Sequence, residues 1–299
     1  MKIGVINVGT FNGAVKQLLK TLGENMAERD SLTAVEFDAK RSTYICKQMT
    51  SSGAVHADRR SQQLLACTPY RNEKQLLRET VAAKKFDALV AIGNPADLMN
   101  IYYLLEDVTK VLCIPATIHN DVAGSDYTLG YDTAINAIIK AILQIADTAG
   151  SFVLKATRLF CIQIPGGKEN ALLKDVALAV GGIPVIDSDT AEGRETILKE
   201  IRAKVNRGDT YVLLIMNEEN DPEEVVSRLS FTDPVDFRQI HIDEAQCMGP
   251  YPSALDRIIA RKFALTALDW LAADKPSGIF SYQHRAATVR QLTAGEIHN

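Results

Sequence analysis

The sequence predicts an α/β protein with mainly parallel sheets, and three observations predict it. Short runs rich in Val, Ile and Leu alternate with amphipathic stretches through most of the chain. Those runs are nearly continuous rather than alternating apolar and polar, which is the pattern of strands covered on both faces. The chain has 299 residues, 46% of them hydrophobic and 23% charged, enough to bury large cores. At roughly 100 to 200 residues per domain, that length divides into about two domains.

Taken in order, the first strand is predicted over residues 2–8 and runs through Gly9-Thr10-Phe11-Asn12-Gly13 into a helix over 13–28. A second strand falls at 33–37. Residues 40–69 are polar and irregular, with Gln48-Met49-Thr50-Ser51-Ser52-Gly53 among them, and so predict an active-site loop or a mobile insertion. A helix over 72–84 leads to a strand at 87–92, followed by Gly93-Asn94-Pro95-Ala96-Asp97 and a further helical stretch. The strand at 111–115 ends in a dense polar segment and is followed, after a loop at 124–128, by a helix over 133–146. Strands at 158–165, 183–187, 211–216 and 237–242 then alternate with helices at 168–180 and 192–206. In the last helix, 255–271, Leu255, Ile258, Ile259, Phe263, Ala267 and Trp270 recur at spacings of three and four and share one face.

Composition narrows the function. With 33 Lys+Arg against 37 Asp+Glu the formal charge is -4, and no basic stripe offers itself to a phosphate backbone, so nucleic acid is not an expected partner. Cys46, Cys67, Cys113, Cys161 and Cys247 are odd in number and scattered, without a C-x-x-C pair or His at zinc spacing, which fits a reducing compartment. The apolar run at the amino terminus is too short for a signal-peptide core, and no segment reaches the roughly 20 apolar residues that cross a bilayer. A cytoplasmic protein with no membrane partner is expected. No low-complexity linker or internal repeat interrupts the pattern.

Three strand ends carry candidate chemistry. The turn with Gly9 and Gly13 joins a strand to a helix, an arrangement that aims backbone N–H groups and the positive end of a helix dipole at an anion such as phosphate. A tight connection in a parallel sheet requires the same glycines, and the turn is neither G-x-G-x-x-G nor a Walker loop. Gly93 and Asn94 repeat the geometry, with Asp97 read as a helix cap. The third strand end, Ile114-Pro115-Ala116-Thr117-Ile118-His119-Asn120-Asp121 followed by Gly124-Ser125-Asp126-Tyr127-Thr128-Leu129-Gly130, gathers hydrogen-bonding groups where open α/β sheets bind ligands.

That last string resembles the P-G-T-I-D-N-D…G-T-D-Y-T-I-G signature of the phosphofructokinase family. Residues 2–13 resemble the family's first strand and Gly-rich turn, and residues 86–96 its D-A-L-V-V-I-G-G-D-G strand. Residues 210–218 resemble its strand ending in a substrate-binding Glu, and Gly249-Pro250-Tyr251-Pro252-Ser253-Ala254-Leu255-Asp256-Arg257 its G-G-S-P-x-x-x-D-R. The resemblance implies two Rossmann-like α/β domains with an interdomain cleft. Residues 1–128 plus 249–290 would form the nucleotide side, and 129–248 plus 291–299 the sugar-phosphate side. It also implies a Mg-dependent kinase that transfers a phosphoryl group from ATP or pyrophosphate to fructose 6-phosphate, working as a homo-oligomer, dimer or tetramer, alone or with an active paralogue.

The departures fall on the functional positions. His119 stands where the family's catalytic base is Asp, with Thr117 and Asp121 retained beside it. Pro95 replaces the metal-binding Asp of G-G-D-G and has no side-chain oxygen to offer Mg²⁺. Pro165-Gly166-Gly167 replaces M-G-R, and Ala245-Gln246-Cys247-Met248 replaces H-I-Q-R. An arginine on the phosphoryl transition state is worth on the order of 10³ or more in rate. Glu218 survives, and Arg71 and Arg238 lie near family arginines. Two readings follow. One is a pseudoenzyme that binds a small phosphorylated ligand or serves as a regulatory or partner subunit. The other is an active kinase using Mg²⁺ and ATP or pyrophosphate, with neutral His119 as base. Thr117, His119 and Asp121 are then the catalytic candidates, Gly9, Gly13, Gly93 and Asn94 the phosphate-binding ones, Glu218, Arg71 and Arg238 the substrate-binding ones, and no residue is assigned as a metal ligand. A sugar-phosphate sensor that binds DNA lacks any recognisable DNA-binding module.

Overall fold

The structure is a computed structural model that describes residues 1–10, 12–49, 70–150, 157–167, 171–231, 235–248 and 251–292. The strands are β1 (Lys2–Asn7), β2 (Ser31–Asp38), β3 (Thr43–Met49), β4 (Ala88–Gly93), β5 (Lys110–Pro115), β6 (Thr157–Ile164), β7 (Ile183–Pro184), β8 (Val212–Asn217), β9 (Val235–His241), β10 (Gly278–Gln283) and β11 (Ala286–Gln291). The helices are α1 (Gly13–Asn25), α2 (Lys74–Lys84), α3 (Pro95–Leu105), α4 (Tyr131–Gly150), α5 (Ala171–Val180), α6 (Ala191–Asn206), α7 (Pro222–Leu229), α8 (Glu244–Cys247) and α9 (Ala254–Ala272). They divide into two compact units, Met1–Asp132 with Pro250–Asn299, and Thr133–Gly249.

The first unit holds a seven-stranded sheet of order β11-β10-β5-β4-β1-β2-β3. Its interior pairs are parallel and only the outermost pairs, β10–β11 and β2–β3, are antiparallel. Because side chains alternate across a strand, a run that is apolar throughout must be covered twice. In β4, Ala88, Val90 and Ile92 pack with Val15, Leu18 and Leu22 of α1 and Ile259 and Phe263 of α9. Leu89 and Ala91 face the other way, onto Leu77 and Val81 of α2 and Leu98 and Ile101 of α3. Strand order reverses at β1, which lies between β4 and β2, so the crevice at the carboxyl ends of β1 and β4 is the topological switch point where such sheets take ligands.

The second unit holds a four-stranded sheet, β7-β8-β6-β9, with every pair parallel. One face of it, Leu159, Cys161, Leu214 and Met216, packs on Ile197 and Ile201 of α6 and Val225 and Leu229 of α7. Among the described residues no helix is long and apolar enough to cross a membrane.

Several elements differ from the sequence-based expectation. Residues 43–49 belong to a strand, not to an irregular loop: Thr43–Met49 pairs with β2 along its whole length, and Tyr44 buries against Phe37 with ring centroids 5.2 Å apart. A single polar edge strand needs only one apolar face, so its polar residues conceal it. The remainder of that segment, 50–69, lies outside the described residues, as do Cys67 and Phe11. The hairpin β10–β11 is also additional. It joins the first sheet through β5 and carries Gln291 into the first unit rather than the second, because Gln291 is paired with Gly278. Residues 293–299 lie outside the described residues.

Phe263 on α9 and Phe280 on β10 are fully buried and meet edge to face at 5.6 Å. Removing a fully buried aromatic leaves a cavity that the surrounding core closes only partly. Phe280→Ala is expected to lower stability by about 3–5 kcal/mol, measured by equilibrium urea unfolding, and Phe280→Leu by clearly less.

Candidate functional site

At the switch point, two strand-end turns touch through bare backbone. A β-carbon on Gly9 would lie 2.8 Å from Gly93 Cα and 3.4 Å from Asn94 N, and one on Gly93 would lie 2.8 Å from Val8 Cγ2. Both glycines are therefore demanded by packing. Asn7, fully buried, accepts a hydrogen bond from Gly9 N, and Asn12 caps α1 by accepting from Val15 N at 2.9 Å. Gly13 presses on Pro252, and Gly130, in a left-handed conformation with φ 107°, presses on the Asn12 amide. Gly130 N donates to the buried carboxylate of Asp256 at 2.8 Å. The amino-terminal turn, the 117–130 loop and the start of α9 are thus held in one place. Asn12 and Asp256 are the positioning residues that sequence reasoning missed, and a carboxylate on the apolar face of a late helix was the available signal.

Asn94 is the cap of α3: its Oδ1 accepts from Asp97 N at 2.9 Å, with Pro95 in the first turn. This corrects the capping role read for Asp97, because Pro95 as first helical residue places the cap immediately before it. The Asp97 side chain is instead an acceptor for Tyr70 Oη at 2.6 Å, Arg71 Nη2 at 2.8 Å and Asn94 Nδ2 at 2.8 Å. Burial would raise the Asp97 carboxyl, but the hydrogen bonds from Tyr70, Arg71 and Asn94 together outweigh it and hold the group below the usual carboxylate range. Burial, and then the bond to Asp97, push the Tyr70 phenol up.

At the end of β5, Thr117 is buried, its Oγ1 accepts from His119 N at 3.1 Å, and its carbonyl accepts from Thr128 Oγ1 at 2.7 Å. Asn120 takes a left-handed conformation at φ 53° and donates to Asp126 O. The following loop is stitched to β10: Tyr282 N donates to Ser125 Oγ, Asp126 N donates to Tyr282 O, and His284 N donates to the Asp126 carboxylate. Among the described residues His119 Nδ1 is buried without a hydrogen-bond partner, as is Asn120 Oδ1. Asp121 is exposed.

The remaining sequence-derived candidates belong to the second unit. Glu218 follows the fully buried Asn217 at the end of β8 and stands 3.5 Å from His241 Nε2. Arg238 on β9 reaches Asp236 at 3.4 Å, and Asp236 also holds Arg158 at 3.3 Å. Arg158, Arg238 and His241 border a cavity of about 790 Å³ whose apolar wall includes Phe160, Ile240 and Ala137. Arg71, by contrast, belongs to the first unit and is engaged by Asp97.

The donor set does not suit Mg²⁺, the metal that the resemblance implies. Among the described residues no three His, Cys, Asp or Glu side chains gather to hold a cation. Pro95 offers no side-chain oxygen, the Asp97 carboxylate is taken by three donors, and Asp121 is exposed. Cysteine chemistry is no substitute, since burial pushes the thiols of Cys113, Cys161 and Cys247 up to about 12 and keeps them protonated near neutral pH.

A doubly wound sheet with glycine turns meeting at its switch point defines the class: a Rossmann-like α/β protein. Comparison with known proteins gives the family. A model of the family described as "Phosphofructokinase" matches residues 34–271, and the chain belongs to that family. It is 29% identical over 197 residues to a Mesomycoplasma hyopneumoniae protein named ATP-dependent 6-phosphofructokinase, covering 65% of this chain and 60% of the relative. A Histophilus somni protein of the same name is 30% identical over 199 residues, with 66% and 60% covered. The chain thus spans about 60% of the length of these curated relatives. Among solved structures it superposes on Pichia pastoris phosphofructokinase in the T-state with a TM-score of 0.80 at 15% identity, covering 97% of this chain and 37% of that one. On a pyrophosphate-dependent phosphofructokinase from Marinobacter aquaeolei the TM-score is 0.72 at 14% identity, with 100% and 84% covered.

The Asp97 cluster sets a pH dependence whose sign is determined. A carboxyl held lower in the folded chain than in the unfolded one contributes stability that is present above the unfolded value, roughly 3.9, and lost as pH falls through the folded value. Asp97→Asn should therefore be less stable than the wild type by about 1–3 kcal/mol at neutral pH. The gap should narrow below about pH 4, as followed by urea unfolding across a pH series.

Proposed function

We propose that this chain is a phosphofructokinase-family protein with a degraded phosphoryl-transfer site, one that binds a phosphorylated small molecule or serves as a regulatory or partner subunit. One observation carries the reading: at the strand end that would hold metal and phosphate, Pro95 supplies neither a side-chain oxygen nor an N–H, and the Asp97 carboxylate in the same helix turn is occupied by Tyr70, Arg71 and Asn94. Phosphoryl transfer depends on positioning and on cancelling the charge of the moving group, and those are the functions lost. The intact backbone of the Gly9 and Gly93 turns supports retention of an anion-binding fold.

A second reading, an active ATP- or pyrophosphate-dependent sugar kinase with His119 as base, is favoured by one observation. His119 is half-buried and its Nδ1 has no hydrogen-bond partner among the described residues, so no protein group there competes for the lone pair that a base would use.

Purified protein is expected to phosphorylate fructose 6-phosphate with ATP or pyrophosphate at less than about a hundredth of a typical enzyme's roughly 10 per second, in a coupled assay with Mg²⁺. Turnover within tenfold of that value, abolished by His119→Ala and preserved by His119→Asp, would establish the second reading. Isothermal titration separates the two independently of turnover. ATP is expected to bind weakly, with an affinity that changes less than about tenfold on adding Mg²⁺, because binding rests on backbone N–H groups rather than on a shared cation.

A further inference from the structure

Tyr70, Arg71 and Asn94 come from two separate segments, and their side-chain donors converge on one carboxylate at 2.6, 2.8 and 2.8 Å. Three convergent donors, one of them a guanidinium, are what a protein builds to hold an external oxyanion. Here the occupant is the chain's own Asp97, which is 7% exposed and lies in the first turn of an eleven-residue helix. The constellation nonetheless opens to solvent on one side, because the Arg71 side chain is 71% exposed. Beneath it lies the bare backbone of the Gly93-Asn94 turn against Gly9.

We propose that Asp97 is the internal guest of an oxyanion-binding constellation, and that its carboxylate is what keeps external phosphate groups off this strand end. The inference rests on the degraded-site reading above and names the residue that sets it. Two physical effects act together. The carboxylate uses the donors that a phosphate oxygen would need, and its charge, a few ångströms from any arriving phosphate, repels it in a partly buried setting where water screens poorly. Asp97 is accordingly a specificity-determining residue: it selects against anions at the nucleotide-side edge of the sheet, although the scaffold around it is of the phosphate-binding kind.

The test removes the guest and leaves the host. Asp97→Ala in the full chain keeps Tyr70, Arg71 and Asn94 and vacates the space between them. Isothermal titration with inorganic pyrophosphate and with inorganic phosphate, in EDTA so that no metal contributes, is expected to show binding at least about tenfold tighter than in the wild type. Pyrophosphate should raise the variant's melting temperature by more than it raises that of the wild type. Adding Arg71→Ala to the variant should abolish the gain. Asp97→Asn, neutral and of the same shape, guards against a folding defect in the alanine variant and should gain affinity in the same direction. Unchanged affinity in both single variants, or a gain that survives Arg71→Ala, would overturn the inference. That outcome is distinct from failure of the degraded-site reading, which wild-type turnover would overturn without any bearing on the affinity of the Asp97 variants.

Discussion

The backbone of β1 and the backbone of β4 meet at their carboxyl ends with no side chain between them, and much of the first unit depends on that approach. Parallel pairing of β1 with β4 brings Gly9 to Gly93 so closely that a single methyl group at either position would overlap its neighbour. The approach sets where α1 and α3 begin, since Asn12 and Asn94 cap those helices directly after the two turns. It also sets what the strand ends can present to a ligand, namely amide groups and the first turns of two helices. Packing alone demands glycine at both positions, whatever the strand ends bind.

Around that contact, the polar groups are arranged to hold the site together. Asp256 fixes the Gly130 amide, Asn12 lies against Gly130, Thr117 is tied to Thr128, and the loop after Asp121 is stitched to β10. The Asp256 and β10 bonds tie segments more than 100 residues apart while the Thr117–Thr128 bond closes the loop between them, and buried polar groups satisfied in this way specify one arrangement of the loops. The same economy of donors explains the Asp97 cluster, where a buried carboxylate tolerates its desolvation only because a cation and two neutral donors meet it.

Membership of the phosphofructokinase family and the chemistry of this chain are separate matters. The family is shown by the match over residues 34–271, and the superposition on distant phosphofructokinases shows the shared fold. Chemistry is carried by a handful of side chains, and in the resemblance read from the sequence Pro95, His119, Gly167 and Met248 stand at departures from the family's motifs. Packing constrains the strands, whereas nothing in the packing requires a metal ligand or a phosphate-facing arginine, so membership of the family does not by itself fix the chemistry.

By itself the sequence determined the α/β class, most of the parallel strands, the long helices and the three strand ends that bear the candidate groups. Each of those is a local property, legible as a continuous apolar run, a helical period, or a glycine where a strand turns into a helix. The tertiary structure alone decided the rest. It alone showed that Thr43–Met49 and β11 are the edge strands of the first sheet, with β10 between β11 and β5, since a strand with one buried face carries no continuous apolar signature. It alone placed Gln291 with the first unit, made Asn94 rather than Asp97 the helix cap, and joined Asp97 to Tyr70 and Arg71 across 26 or 27 residues of sequence. The reason is physical: a hydrogen bond between distant segments depends on where the fold brings donor and acceptor, and no periodicity in either segment records that the other will be there.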